Sequence, residues 1–279
     1  MITFKKIDAT HAYAGMARIQ GSSIGFVPTM GALHDGHLSL VRRAKQENDL
    51  VIVSIFVNPI QFNNRRDLEK YPRNLDRDIA LLESAGCDVV FAPDATEMYP
   101  EPIEKHYDFG GLETVMEGAF RPGHFNGVAI VVDKLFRITL PHRAYFGEKD
   151  YQQLVVIRAL VQQEKLDVEI VPCPIRREHD GLAMSSRNER LTEQMRAAAP
   201  AIYQWLLHAR AMADSHTAAE IEKMVIAETQ KDPMLRLEYF SIADGETLQA
   251  VTGRISPGDR AFIAVFAGDI RLIDNLKLI

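Results

Sequence analysis

The chain has 279 residues, 47% of them apolar and 25% charged, with a formal net charge of -6. That length accommodates two domains with ordinary globular cores, and the acidic balance excludes a general affinity for nucleic-acid backbones. Cys87 and Cys173 make no disulfide framework, "MITFKKIDAT" has no leader-like apolar stretch, and no uncharged run reaches the roughly 20 residues of a membrane span. The expectation is a cytoplasmic protein with neither membrane nor nucleic-acid partners.

In chain order, "IGFVPTM" (24–30) reads as a buried strand, after which Leu38, Val41 and Ala44 recur at helical spacing. "LVIVSIFVN" (50–58) is continuously apolar, as a parallel strand covered on both faces must be. A helix follows over Asn74–Ala85 with Leu75, Ile79 and Leu82 on one face, then the strand "DVVFAP" (88–93). Further on come a helix near Val128–Ile138, the strand "AYFG" (144–147), a helix near Gln152–Gln163 and the strand "VEIVP" (168–172). Such alternation predicts an α/β fold, a Rossmann-like parallel sheet with right-handed crossovers.

Beyond Pro174 the pattern changes. "IRREHDGLAMSSRNERLT" (175–192) is polar and reads as a loop, leading into a helix interrupted or bent at Pro200. Another helix is expected near Ala218–Gln230, then three strands within "LEYFSIAD", "RAFIAVFAG" and "IRLIDNLKLI". The expected division is a Rossmann-like domain over 1–176 and a smaller α+β lid domain over 177–279 that opens with the Met184–Arg187 loop.

Four segments carry candidate chemistry. In "MGALHDGHLSL" (30–40), His34 and His37 stand where a strand turns into a helix at about Gly36. They suit metal ligation, plain packing, or a helix start whose free N–H groups and dipole hold phosphate. Metal ligation needs further ligands, and His106, His124, His142 and His179 supply no local cluster at zinc-like spacing. In "FGEKDYQQ" (146–153), Lys149 offers a point charge to phosphate, Asp150 is either a helix cap or a site carboxylate, and Gln153 faces the same crevice. In "GLAMSSRN" (181–188), Ser185, Ser186 and Arg187 suit phosphate or an N-cap equally. In "FVNPIQFNN" (56–64), Asn58 and Gln61 lie at the crevice mouth or in a simple Asn-Pro turn.

"PTMGALHDGH", "SIFVNPIQF", "RPGHFNGVAIVVDKLF", "FGEKDYQQL" and "DGLAMSSRN" occur in that order. Together they closely resemble the pantoate–β-alanine ligase family of HIGH-motif nucleotidyltransferases, most strongly across residues 26–190. The resemblance implies an ATP-dependent ligase that makes pantothenate through pantoyl adenylate, releasing AMP and pyrophosphate. It places Met30, Gly31, Ala32, Leu33, His34, Asp35, Gly36 and His37 at ATP, with His34 and His37 on the phosphates. Gly147, Glu148, Lys149 and Asp150 form the second nucleotide segment. Met184, Ser185, Ser186 and Arg187 stand for the KMSKS loop with serines and arginine replacing lysines, and Arg176 contacts adenine through its backbone. His37, His34 and Lys149 are the implied catalytic groups. Gln61 and Gln153 would hold pantoate with support from Asn58, and Gln61 would also lie near β-alanine. Mg²⁺ is expected with ATP, with Asp150 as its indirect partner, and a homodimer is implied. The Arg65–Arg66 pair falls where the family has a mobile cover and is not a fixed feature of it. Two other readings compete: a nucleotidyltransferase that stops after nucleotide transfer, and an idle nucleotide-binding protein. The acyl-pocket glutamines and the intact His34, His37 and Lys149 favour the ligase.

Overall fold

The structure, a computed structural model, describes residues 1–63 and 65–279, and the side chains of 65–67 lie outside the description. The side chains of the Arg65–Arg66 pair therefore fall outside the described residues. Six parallel strands form the larger sheet: β1 (Ile2–Phe4), β2 (Ile24–Thr29), β3 (Leu50–Ile55), β4 (Val89–Phe91), β5 (Arg143–Gly147) and β6 (Glu169–Cys173). Their connecting helices are α1 (Ile7–Ile19), α2 (Asp35–Glu47), the short α3 (Arg65–Lys70), α4 (Leu75–Ser84), the short α5 (Ala95–Met98) and α6 (Met116–Phe120), α7 (His124–Thr139) and α8 (Tyr151–Gln163).

The strand order β1-β4-β3-β2-β5-β6 reverses at β2. From β2 the chain steps one way through β3, and later strands add on the other side through β5. The carboxyl ends of β2 and β5 thus flank the switch point where an open α/β sheet leaves a crevice. Alternation along β2 explains its apolar sequence: Phe26 packs with Phe136 and Phe146 on one face, and Val27 packs with Val41 and Val53 on the other.

Two departures from the sequence reading are informative. Helix α7 begins at His124, not near Val128, because Gly123 takes a left-handed conformation (φ 78°) and lets residues 124–127 join the helix as its first turn. The N-terminal residues, read only for lack of a leader, supply edge strand β1 and helix α1. Helix α1 leaves Met16 and Ile19 exposed, so its apolar pattern is weak.

The second sheet is antiparallel, β7 (Leu235–Ala243), β8 (Arg260–Ala267) and β9 (Ile270–Lys277), in the order β7-β8-β9. Helices α9 (Glu193–Ala198), α10 (Ala201–Met212) and α11 (Ala218–Thr229) accompany it, and Pro200 separates the first two as its missing N–H requires. Trp205, Leu206, Ile221, Val225, Ile263 and Val265 form their core, joined by Leu182 from the preceding segment. That segment is more ordered than the loop expected over 175–192. It contains an Arg177–Ala183 bridge and a 3₁₀ turn over Ser186–Arg190.

Helix α7 meets the 3₁₀ turn Pro59–Gln61 through Gly127, where a β-carbon would come within 2.6 Å of the Ile60 carbonyl. Backbone cannot yield as a flexible side chain does. Gly127→Ala is therefore expected to destabilise the protein by about 1–3 kcal/mol in urea unfolding, as overpacking typically does. Wild-type stability in that variant would show that the contact relaxes freely.

Candidate active site

At the carboxyl end of β2 the chain turns through Gly31 (φ 80°) and Ala32 (φ 51°) before α2 begins. The Asp78 carboxylate, buried on α4, accepts from Ala32 N–H at 2.9 Å and Leu33 N–H at 2.8 Å. It satisfies two donors that the turn would otherwise leave unpaired.

His34 is the N-cap of α2. Its Nδ1 accepts from Gly36 N–H at 3.1 Å, and His37 Nδ1 accepts from His34 N–H at 3.4 Å. Two imidazoles thus fill the reciprocal roles that Ser and Glu usually take in a capping box. Because each Nδ1 is an acceptor, each neutral ring carries its proton on Nε2. The rings stand 4.0 Å apart at 41°. Burial, and then the Lys149 ammonium, push His34 down to about 4. Burial, followed by His34 and Lys149, pushes His37 down to about 3, although the ring keeps some surface open to the adjoining cavity. Both rings are therefore neutral near pH 7 and act as N–H donors beside the positive end of α2.

A cavity of about 230 Å³ opens at this point. Met30, His34, Gly36 and His37 line it together with Gly147, Lys149 and Asp150 from the end of β5 and the turn after it. Arg176, Met184, Ser185, Ser186 and Arg187 complete the polar wall, while Asn58, Gln61 and Gln153 border the apolar wall formed by Val128, Val131 and Val132 of α7. The four sequence segments therefore converge on one space. Gly31, Ala32, Leu33, Asp35 and Glu148 are not among its lining residues. Leu33 is in the core, Asp35 faces Arg42 at 3.7 Å, and Glu148 faces Arg260 at 3.5 Å.

The alternatives left open by sequence resolve differently at each place. Asp150 heads α8 without a capping hydrogen bond and stays half-exposed, 3.9 Å from Lys149 Nζ. Ser185 does cap the following 3₁₀ turn, accepting from Arg187 N–H at 3.3 Å, and it lines the cavity as well. Asn58 is no mere turn residue: its buried amide donates to Gln61 Oε1 at 3.0 Å and Gly127 O at 3.1 Å, and accepts from Tyr99 O–H at 2.8 Å. His124 donates from Nδ1 to the Gln61 carbonyl at 2.9 Å, so it fixes the other end of that glutamine.

The sequence model of the pantoate–β-alanine ligase family matches residues 2–277. The chain belongs to the pantoate–β-alanine ligase family. Its reaction is the ATP-dependent joining of pantoate to β-alanine. It is 54% identical over 272 residues to the pantothenate synthetase of Bacteroides fragilis, covering 97% of this chain and 96% of that one. The crystal structure of pantothenate synthetase from Thermus thermophilus matches with a TM-score of 0.93 at 44% identity, over 100% of this chain and 99% of that one. A pantoate–β-alanine ligase from Francisella tularensis, complexed with β,γ ATP and β-alanine, matches with a TM-score of 0.83 at 39% identity, over 100% and 98% of the two chains. No helix among the described residues is long and apolar enough to cross a membrane.

Sequence reasoning missed Asp78, although an acidic residue inside the Leu75–Ile79–Leu82 stripe was a readable sign that the position had a buried partner. It also left His124 only as an unused metal candidate. The Gln61 carbonyl that it binds lies 63 residues away, and no local pattern links them.

The depressed imidazoles set a pH dependence for the unliganded pantoate–β-alanine ligase. Unfolded histidines take up protons near pH 6.5, whereas folded His34 and His37 hold out to about 4 and 3. Their contribution to stability is therefore full above about pH 6.5 and declines as pH falls toward those folded values. His37→Asn, which keeps an acceptor for the His34 N–H, is expected to flatten this acid limb in urea titrations between about pH 7.5 and 5. An unchanged slope would show that His37 titrates normally in the folded protein.

Proposed function

We propose that the reaction runs in two steps within the cavity at the start of α2. A pantoate carboxylate oxygen attacks the α-phosphorus of ATP and the bond to the bridging oxygen breaks, giving pantoyl adenylate and pyrophosphate. The β-alanine amine then attacks the acyl carbon, and AMP leaves with the electron pair of the broken C–O bond, leaving pantothenate. Such chemistry needs alignment of the reactants and stabilisation of phosphate charge more than covalent help from the protein.

The observation that carries this reading is that the imidazole capping box and Lys149 line one cavity. His34 and His37 present neutral Nε2–H groups to the phosphates, and Lys149 adds a positive charge. His37 thus acts by holding charge on the departing pyrophosphate with a hydrogen bond. Burial keeps the ring neutral in the protein without nucleotide, so it meets the phosphates as an N–H donor. Met30 to His37, Gly147 to Asp150, Arg176 and Met184 to Arg187 make the ATP site; the residues off the wall act by shaping the turns. Gln61 and Gln153 hold pantoate beside the apolar face of α7, Asn58 orients Gln61, and Gln61 also borders the β-alanine position.

One half-exposed carboxylate, Asp150, beside the phosphate-facing Lys149 is a donor set suited to Mg²⁺ arriving on ATP. Asp150 would be the ion's indirect partner there, and the ion would supply neutralising charge to the phosphate chain. Residues 177–279 serve as a lid carrying the Ser185–Arg187 loop over the domain of residues 1–176. The enzyme works as a cytoplasmic homodimer.

ATP–pyrophosphate exchange is expected to depend on pantoate and to proceed without β-alanine; a requirement for β-alanine would overturn the adenylate route. His37→Ala is expected to lower kcat by ~10²–10³-fold, the usual loss on removing one preorganised charge-stabilising donor. Near-normal turnover would reduce His37 to a capping residue.

A further inference from the structure

Strand β9 sets Asp274 and Asn275 side by side, both buried. The Asn275 amide nitrogen donates to two successive carbonyls, Glu148 O at 2.8 Å and Lys149 O at 2.9 Å. Its Oδ1 accepts from Arg260 Nη1 at 2.6 Å, so donors and acceptor are all engaged. Asp274 receives both guanidinium nitrogens of Arg177, at 2.6 and 3.0 Å, in the bidentate geometry that fixes direction as well as distance. Arg177 lies over the Tyr203 ring at 3.7 Å and pairs across the bridge with Ala183, next to Met184.

These two adjacent residues therefore grip different loops. Asn275 holds the turn that carries Lys149, and Asp274 holds the hairpin that leads into Ser185–Arg187. Each loop arrives from a separate part of the chain, and the cavity needs both.

We infer that Asp274 and Asn275 are positioning residues of the phosphate site, a bracket from the C-terminal sheet that sets Lys149 against the Ser185–Arg187 loop. The inference rests on the reading of Lys149 as a phosphate contact. Burying an amide and a carboxylate at a strand is costly unless every polar atom is paired. Here the pairing converges on loops that line the cavity. Simple adhesion between the two sheets would need no such targets, since apolar residues of equal size serve that purpose.

The test is calorimetric binding of ATP with Mg²⁺, and of AMP, to the full-length protein without pantoate. Asn275→Ala is expected to weaken ATP by about tenfold, as loss of hydrogen bonds worth about 1.4 kcal/mol would, and to leave AMP within about twofold. Equal weakening of ATP and AMP would overturn the bracket, because a merely structural defect does not distinguish them. Lys149→Ala is expected to weaken ATP, and adding Asn275→Ala to it is expected to change little more. Full additivity in that double variant would overturn the bracket alone. Undiminished ATP binding by Lys149→Ala would instead overturn the reading of Lys149, and the bracket with it. Asn275→Ser keeps one donor, perturbs folding less, and is expected to give the same ATP-over-AMP split at smaller size; its absence would count equally against the inference.

Discussion

Helix α2 can present its N-terminus to a phosphate chain only if its first N–H groups are arranged before the ligand arrives. His34 and His37 achieve this through Nδ1, the first accepting from the Gly36 N–H and the second from the His34 N–H. The same bonds place the remaining proton of each ring on Nε2, so capping and donor orientation are one constraint. A serine–glutamate box would satisfy the backbone equally well but would bring a carboxylate to the phosphates. Asp78 completes the arrangement from behind, holding Ala32 and Leu33 in a turn whose left-handed backbone has little intrinsic preference.

The site's position follows from topology. With β2 at the reversal of strand order, the crevice lies between the ends of β2 and β5, and Gly147 delivers Lys149 to the cavity that the histidines line. The acyl side is built differently, by a chain of neutral hydrogen bonds. Tyr99 orients Asn58, Asn58 orients Gln61, and His124 holds the Gln61 carbonyl. The proposed pantoate contact at Gln61 thus rests on a neutral network, which adds no charge that would compete with a phosphate chain. Gly127 lets α7 approach this network closely enough for its carbonyl to join it.

The C-terminal sheet supplies no lining residue to the cavity but holds loops that do. Its own core is separate, with Trp205, Ile221 and Ile263 among its members, yet β9 holds two loops that line the cavity. Glu117 of α6 makes a further tie, accepting from both Arg271 nitrogens and from Tyr239. Removing one partner from a buried charged network of this kind leaves the others unsatisfied, so polar atoms couple the two sheets alongside the apolar cluster of Met116, Val155, Leu248 and Phe262.

Local patterns in the chain determined the parallel sheet, the break at Pro200, the three closing strands and the segments holding His34, Lys149, Ser185 and Gln61. Each of these depends on neighbours a few residues away: apolar runs, helical spacing, a proline without an N–H, a turn after a strand. Only the tertiary structure decided that Asp78 grips residues 32 and 33, that His124 serves Gln61, that Asp35 and Glu148 pair with Arg42 and Arg260 and do not line the cavity, and that Asn275 holds the carbonyls of Glu148 and Lys149. Those are pairings between single polar atoms far apart in sequence. Hydrophobic periodicity records which face of an element is buried, but it carries no information about which distant donor a buried acceptor will meet.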